Sequence, residues 1–339
     1  MYIIALSIYS AVYSTLPIYK LPHIIHLYLK IIIFNVYIMP TILETLKHNR
    51  PTLSDSSLKT YNSILSNLYK KIFTDKELDL AKFNEHKKFI SFLKNMEGSK
   101  RKTYLSALVV LCPNCDEYKE LMNKDGQEYN AQKKLQKRTP KEEENWVGQD
   151  ELMSIYDDIE TDAKKIMKMK NHTPQDIQKI QPYIILSLVS GKYIPIRRSL
   201  DWTEMVFKGE DKEKNNFLDK GKKQYKFYFN IYKTQKYLND QETILPAPLK
   251  KIISDWIKLI EKVYPENKYL LIDSNGNKLT PTKMTQRLNN IFGKKASINI
   301  LRHSFITEKY KDMPGLEQLQ EEATAMGHSL KEHLEYIKK

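Results

Sequence analysis

Apolar residues at helical spacing dominate the chain from Ser54 onward. Tyr61, Ile64, Leu65, Leu68 and Ile72 recur at i, i+3, i+4, i+7 and i+11, one stripe of an amphipathic helix, with Ser54 or Asp55 as its N-cap. Phe83, Phe89, Ile90, Phe92 and Leu93 make a second stripe, closed by Gly98. A third begins after Ser99, runs through Tyr104, Leu105, Leu108 and Leu111, and stops at Pro113; a fourth covers Tyr118 to Leu135. Residues 52–137 therefore read as a small all-helical domain. Residues 138–149, RTPKEEENWVGQ, are polar and acidic, carry Pro140 and Gly148, and read as an inter-domain linker.

Helical patterning resumes at Leu152, Ile155, Tyr156 and Ile159, and again from Pro182 to Val189. The character then changes. Phe227-Tyr-Phe-Asn-Ile-Tyr is rich in strand formers and Glu242-Thr-Ile-Leu-Pro is a second short run, so Tyr225–Tyr232 and Thr243–Leu245 predict a hairpin. Helices return at Leu249–Val263, Met284–Phe292, Leu301–Tyr310 and Gly315–Met326. The expected fold class is mainly α: a helical N-terminal domain, then a mixed, mostly helical domain over residues 150–339 with a small antiparallel sheet. The sequence contains no internal repeat.

Composition narrows the class of partner. Lys and Arg number 55 against 41 Asp and Glu, a formal charge of +14 spread along the whole chain. Such a surplus favours a polyanion, with nucleic acid ahead of an acidic membrane surface. At the start of the third helix, Lys100, Arg101 and Lys102 precede Thr103 and Tyr104. That arrangement suits a phosphate contact, with a solvated charge cluster as the alternative. The two cysteines, Cys112 and Cys115, argue against a disulfide-stapled secreted domain and for a reducing compartment. Their C-x-x-C spacing is half of a zinc site, but no second Cys or His pair of matching spacing follows nearby. Two partly buried thiols, and no metal or cofactor, are the expectation.

Met1 to Ile38 differs from the rest, being apolar and rich in Ile, Tyr and Leu. Pro17, Lys20, Pro22, His23, His26 and Lys30 interrupt it, so no stretch reaches the roughly 18–20 apolar residues of a spanning helix. A signal peptide's basic start and cleavage site are not evident. The preferred expectation is translation from Met39, with 1–38 a non-functional extension and no membrane association; a membrane anchor is the alternative.

The chemistry-bearing residues concentrate in the second half. Residues 299–310 read NILRHSFITEKY and residues 325–337 read AMGHSLKEHLEYI. An Arg-His-Ser-Phe run opens a helix, a Gly-His-Ser turn follows, and Tyr336 lies eight residues beyond His328. Upstream, Ser190-Gly191 leads into KYIPIRRSLDW, where Arg198 and Asp201 make an Arg-x-x-acid pattern. Tyr232-Lys233-Thr234 closes the first predicted strand. In order and local setting these boxes resemble those of the tyrosine recombinases, the phage-integrase family. The resemblance covers roughly Asp150 to the C-terminus, and the helical domain before it matches by type and place, as a DNA core-binding domain.

By that resemblance, Arg198 and Arg302 are the two catalytic arginines, with Arg197 the alternative for the first. Lys233 is the catalytic lysine, with Lys236 the alternative. His328 is the histidine of the Gly-His turn and Tyr336 the nucleophile. Asp201, Asn299 and His303 support the site, His303 by packing or hydrogen bonding beside the arginines. The sequence departs from the family at position 299, where Asn stands in place of the usual His; Asn hydrogen-bonds but shuttles no proton near neutral pH. The implied activity is site-specific cleavage and rejoining of duplex DNA through a 3′-phosphotyrosine. The implied assembly is a tetramer on paired DNA sites, in cytoplasm or host nucleus, without small-molecule substrate. The abundance of Lys, Asn, Ile and Tyr points to a virus or mobile element of an AT-rich genome. The alternatives are a type IB topoisomerase-like enzyme and a catalytically silent DNA-binding protein of the same fold.

Overall fold

The computed structural model describes residues 41–73, 77–209, 214–238, 240–327 and 329–335. The extension Met1–Ile38 lies outside them. The chain divides into two compact units, Met1–Gln136 and Lys137–Lys339.

The first unit is helical. Helix α1 (Ile42–Asn49) starts on a capping box in which Thr41 and Glu44 satisfy each other's backbone N–H groups. It buries Ile42 and Leu46, and the Asn49 amide donates to the carbonyls of Val110 and Leu111. The unit therefore begins before residue 52. An eight-residue helix with two buried positions leaves too short a stripe to stand out in the sequence. Helix α2 (Asp55–Ile72) follows, capped by Ser54. The second predicted stripe is divided between a 3-10 turn, Leu80–Asn84, and helix α3 (His86–Leu93). Gly98 opens α4 (Gly98–Leu111) instead of closing α3, and α5 (Asp116–Lys134) completes the unit. Leu65, Leu68, Tyr69, Phe83, Phe89, Leu93, Leu105, Leu108 and Tyr118 form its core, with Phe83 and Phe89 stacked at 5.1 Å.

The expected linker is part of the second unit. Residues Pro140–Glu144 form α6 on a Thr139–Glu142 capping box, and Val147 is fully buried in the second core. Lys294 donates to the Trp146 carbonyl and the Lys295 N–H to Asn145 Oδ1, tying the segment down. The proline and acidic run that suggested a linker marks a helix start. Helices α7 (Gln149–Met167) and α8 (Pro174–Val189) pack together. Residues 183–189 of α8 are all buried, so this helix is apolar nearly all round and serves as the hub of the unit. It begins at Pro174, about two turns before the expected Pro182, because Thr173 and Asp176 cap it.

After a short helix, α9 (Ser199–Thr203), come β1 (Met205–Val206), β2 (Asn216–Lys220), β3 (Tyr225–Phe229), α10 (Gln235–Leu238) and β4 (Gln241–Ile244). The sheet order is β1-β2-β3-β4, with β1–β2 parallel and the other pairs antiparallel. The sheet is thus mixed and four-stranded, and the expected hairpin is its β3–β4 edge. Phe227 and Phe229 alternate onto the inner face, where both meet the buried Trp202 edge-on. Helices α11 (Ala247–Val263), α12 (Pro281–Phe292), α13 (Ile298–Lys309), α14 (Leu316–Ala325) and α15 (Leu330–Glu335) end the unit. No described helix in the chain is long and apolar enough to cross a membrane.

Gly191, just past the end of α8, has φ +82°, and a Cβ there would lie 2.3 Å from Cδ2 of Phe305 on α13. The left-handed backbone and the aromatic contact both require glycine. Gly191→Ala is therefore expected to cost about 1–3 kcal/mol in urea unfolding. Adding Phe305→Ala should make Gly191→Ala cost less by removing the clash and leaving only the backbone strain; an unchanged cost in both backgrounds would remove the contact from the explanation.

Candidate functional site

The loop leaving Gly191 carries both candidate arginines. It is anchored by buried Ile194 and Ile196. The Ile196 carbonyl accepts a 3.2 Å hydrogen bond from Nε of Arg302, which stands in the second turn of α13. That bond draws Arg302 to the loop residues just before Arg198. Burial lowers the pKa of the Arg302 guanidinium, the neighbouring charge of Arg198 lowers it further, and Asp201 opposes both. The terminal nitrogens of Arg302 make no hydrogen bond among the described residues.

The adjacent arginines do different work. Arg197 donates through Nε to Asp201 Oδ2 at 2.9 Å and through a terminal nitrogen to Gln241 Oε1 at 2.8 Å. Its guanidinium lies 3.7 Å from the Phe229 ring centroid and 5.2 Å from that of Tyr232. It is a brace between α9, β3 and β4. Arg198 is the N-cap of α9 in extended backbone, half-buried, and makes no hydrogen bond or ion pair among the described residues. Arg198 and Asp201 make the Arg-x-x-acid pattern in sequence, but the carboxylate pairs with Arg197, and Arg198 reaches it only through longer-range charge.

Asp201 is buried, and its Oδ1 has no hydrogen-bond partner among the described residues. Burial pushes its carboxyl up, against the pull of Arg197, Arg198 and Arg302. A residue the sequence did not single out, Asn216, holds the surroundings. Fully buried, it donates to the carbonyls of Asp201 and Ile231 and accepts from the N–H groups of Asn230 and Ile231. All four bonds of this side chain reach across 14 or 15 residues, so no local pattern reveals it. It ties the end of β3 to α9, and the next turn carries Lys233. Lys233 is exposed and makes no hydrogen bond among the described residues. Lys236 belongs to α10.

Asn299 is exposed in the first turn of α13, three positions before Arg302 and so on the same helical face. His303 is one position beyond Arg302, about 100° round the helix. It is exposed and makes no hydrogen bond among the described residues, so the expected packing beside the arginines is not met. His328 and Tyr336 lie outside the described residues. They flank the short helix α15, which ends at Glu335.

In the first unit, the cluster expected to contact phosphate is divided in use. Arg101 pairs in two-pronged fashion with the fully buried carboxylate of Asp125, at 2.9 and 2.6 Å, and also donates to the carbonyls of Lys94 and Met96. It closes the core and is not free for a ligand. Lys102 lies over the Tyr129 ring at 5.2 Å and Tyr104 packs on the core, whereas Lys100 and Thr103 are exposed.

No protein-family model matches the chain, and no curated protein matches it. Among solved structures it is similar to the XerA recombinase, at 13% identity and TM-score 0.33, over 88% of this chain and 93% of that one. It is similar also to the XerH site-specific recombinase bound to difH substrate in a pre-cleavage complex, at 15% identity and TM-score 0.42, over 86% of this chain and 90% of that one.

Arg197 and Arg198 should separate cleanly in unfolding experiments. Arg197→Met strips a buried carboxylate of its partner and is expected to cost about 3–5 kcal/mol, whereas Arg198→Met should stay within about 0.5 kcal/mol. Without Arg197 the Asp201 pKa rises further. An acid whose folded-state pKa exceeds its unfolded value adds stability below the unfolded pKa and loses it as pH rises through the folded one. The Arg197→Met deficit should therefore shrink as the medium is acidified, and a deficit independent of pH would speak against the pairing.

Proposed function

We propose that this chain is a site-specific tyrosine recombinase that cleaves and rejoins duplex DNA, assembled as a tetramer on paired sites. One observation carries the reading: Arg198 and Arg302, two guanidiniums without carboxylate partners of their own, are close enough that the charge of one acts on the other. Two cations so placed repel each other until an anion sits between them, and a planar guanidinium suits phosphate oxygens. The free Lys233 on the neighbouring turn, and the order Arg198, Lys233, Arg302, His328, Tyr336 along the chain, support the same reading.

In the proposed reaction Arg198, Arg302 and His328 hold the non-bridging oxygens of the scissile phosphate, where negative charge builds up in the transition state. The Tyr336 phenol gives up its proton to solvent and its oxygen bonds to phosphorus as the bond to the 5′ oxygen breaks, and Lys233 supplies the proton that this oxygen takes. The phosphotyrosine conserves the energy of the broken bond, so rejoining needs no nucleotide. Asp201 acts through the Arg197 brace, and Asn299 by hydrogen bonding alone. In the helical unit Lys100, Lys102 and Thr103 contact the DNA backbone, with Arg101 holding their helix in place. The chain would serve a virus or mobile element and act on DNA in cytoplasm or host nucleus.

A suicide duplex that traps covalent protein provides the test. The wild-type chain should form an adduct, while Tyr336→Phe should bind the duplex equally well and form none. Arg302→Lys should lose roughly 10²-fold or more in cleavage rate, because an ammonium cannot reproduce a two-pronged contact. An adduct persisting in Tyr336→Phe would move the nucleophile elsewhere, and absence of any wild-type adduct would leave a DNA-binding protein. Joining of two different duplexes separates a recombinase from a topoisomerase. Affinity for non-specific duplex should fall steeply with salt, as phosphate contacts release counterions.

A further inference from the structure

We propose that His86, Cys115 and Glu117 form a binding site for a zinc-like divalent cation in the helical unit, a site independent of the strand-transfer reading. The donor atoms of these three residues all lie within 4.8 Å of one another. Glu117 Oε2 is 3.2 Å from Cys115 Sγ and 3.3 Å from His86 Nδ1. Tetrahedral zinc with ordinary Zn–S, Zn–N and Zn–O bonds separates its ligand atoms by roughly 3.3–3.6 Å. The contacts thus approach the edges of a coordination tetrahedron, so a metal could enter with small side-chain adjustments.

The donor set suits a borderline cation. One thiolate, one imidazole and one carboxylate are the ligand types of zinc, whereas calcium and magnesium demand oxygen alone. A thiolate and a carboxylate also balance a double positive charge, leaving the site neutral. Cys115 is the N-cap of α5 and Glu117 stands in its first turn, so two of the three donors leave the same helix start. The imidazole of His86 is held edge-on by Tyr118 at 5.1 Å, and the Tyr118 hydroxyl is itself fixed by donating to the Phe83 carbonyl. An orienting neighbour of this kind pre-sets a ligand. His86 and Cys115 also line an open cavity of about 270 Å³, which gives an ion a route in.

The C-x-x-C spacing is not what makes the site. Cys112 turns its Sγ towards the Phe83 carbonyl, 3.8 Å away, and stands outside the three-residue cluster. The second partner of Cys115 comes instead from the start of α3, which no local spacing could indicate. A bound ion would staple that helix start to the α4–α5 turn, with water completing its coordination.

The test uses the full-length chain, stripped of metal by dialysis and titrated with cobalt(II) as spectroscopic probe and with zinc in competition. One equivalent of cobalt should give a thiolate-to-metal charge-transfer band that zinc abolishes, and excess zinc should raise the thermal midpoint. Cys115→Ser and His86→Gln should each weaken binding by at least about tenfold, and so should Glu117→Gln. Glu117 is largely exposed, so this last variant leaves the fold intact and keeps the test decisive. Cys112→Ser should retain the band. No band in the wild-type chain, an unchanged band in Cys115→Ser, or equal affinity in Glu117→Gln would each overturn the proposal.

Discussion

The hydrogen bond from Arg302 to the Ile196 carbonyl is the constraint on which the geometry of the second unit's candidate site depends. It joins a loop that leaves α8 to a helix more than a hundred residues later. Nearby, Gly191 lets the backbone pass against Phe305, three residues beyond Arg302 on the same helix. Loop and helix are thus fastened twice. Arg198 follows two residues after Ile196, near enough for its charge to act on Arg302.

Holding cations together costs electrostatic energy, and the fold contains that cost by burying Asp201 beneath them. Arg197 pairs with this carboxylate, lies flat on Phe229 and reaches Gln241, so one of the three arginines serves the structure. Asn216 satisfies the backbone groups where α9 and the end of β3 meet. Lys233, by contrast, is exposed on the turn just outside this packed block.

Long periodic segments were legible in the sequence. The α2 stripe, α11, α12 and α13 appear where apolar spacing puts them, to within a few residues. Failures came where local chemistry has two meanings. Thr139-Pro140 with its acidic run could end one domain or cap a helix, and burial of Val147 decided for the helix. At the candidate site, the sequence put Arg198 first and kept Arg197 as the alternative. Which of two consecutive side chains meets Asp201 is set by the path of the loop between Ile196 and α9, and residue spacing does not encode that path. Asn216 and His86 escaped for the same reason, since their partners lie elsewhere in the chain.

The pairing of Arg197 with Asp201 also fixes a charge count. Three guanidiniums and one carboxylate leave the cluster two positive charges in surplus, on Arg198 and Arg302, which feel Asp201 only at longer range. A phosphodiester at rest carries one negative charge. The five-coordinate arrangement reached as a nucleophile adds to phosphorus gathers close to two. In the proposed reaction the cluster therefore matches the activated phosphate better than the resting one, and interactions that strengthen only on the way to the transition state are those that accelerate a reaction. In that proposed reaction Asp201 would set the electrostatic gain: a neutral residue in its place would leave three charges and bind intact DNA more tightly, to no kinetic benefit.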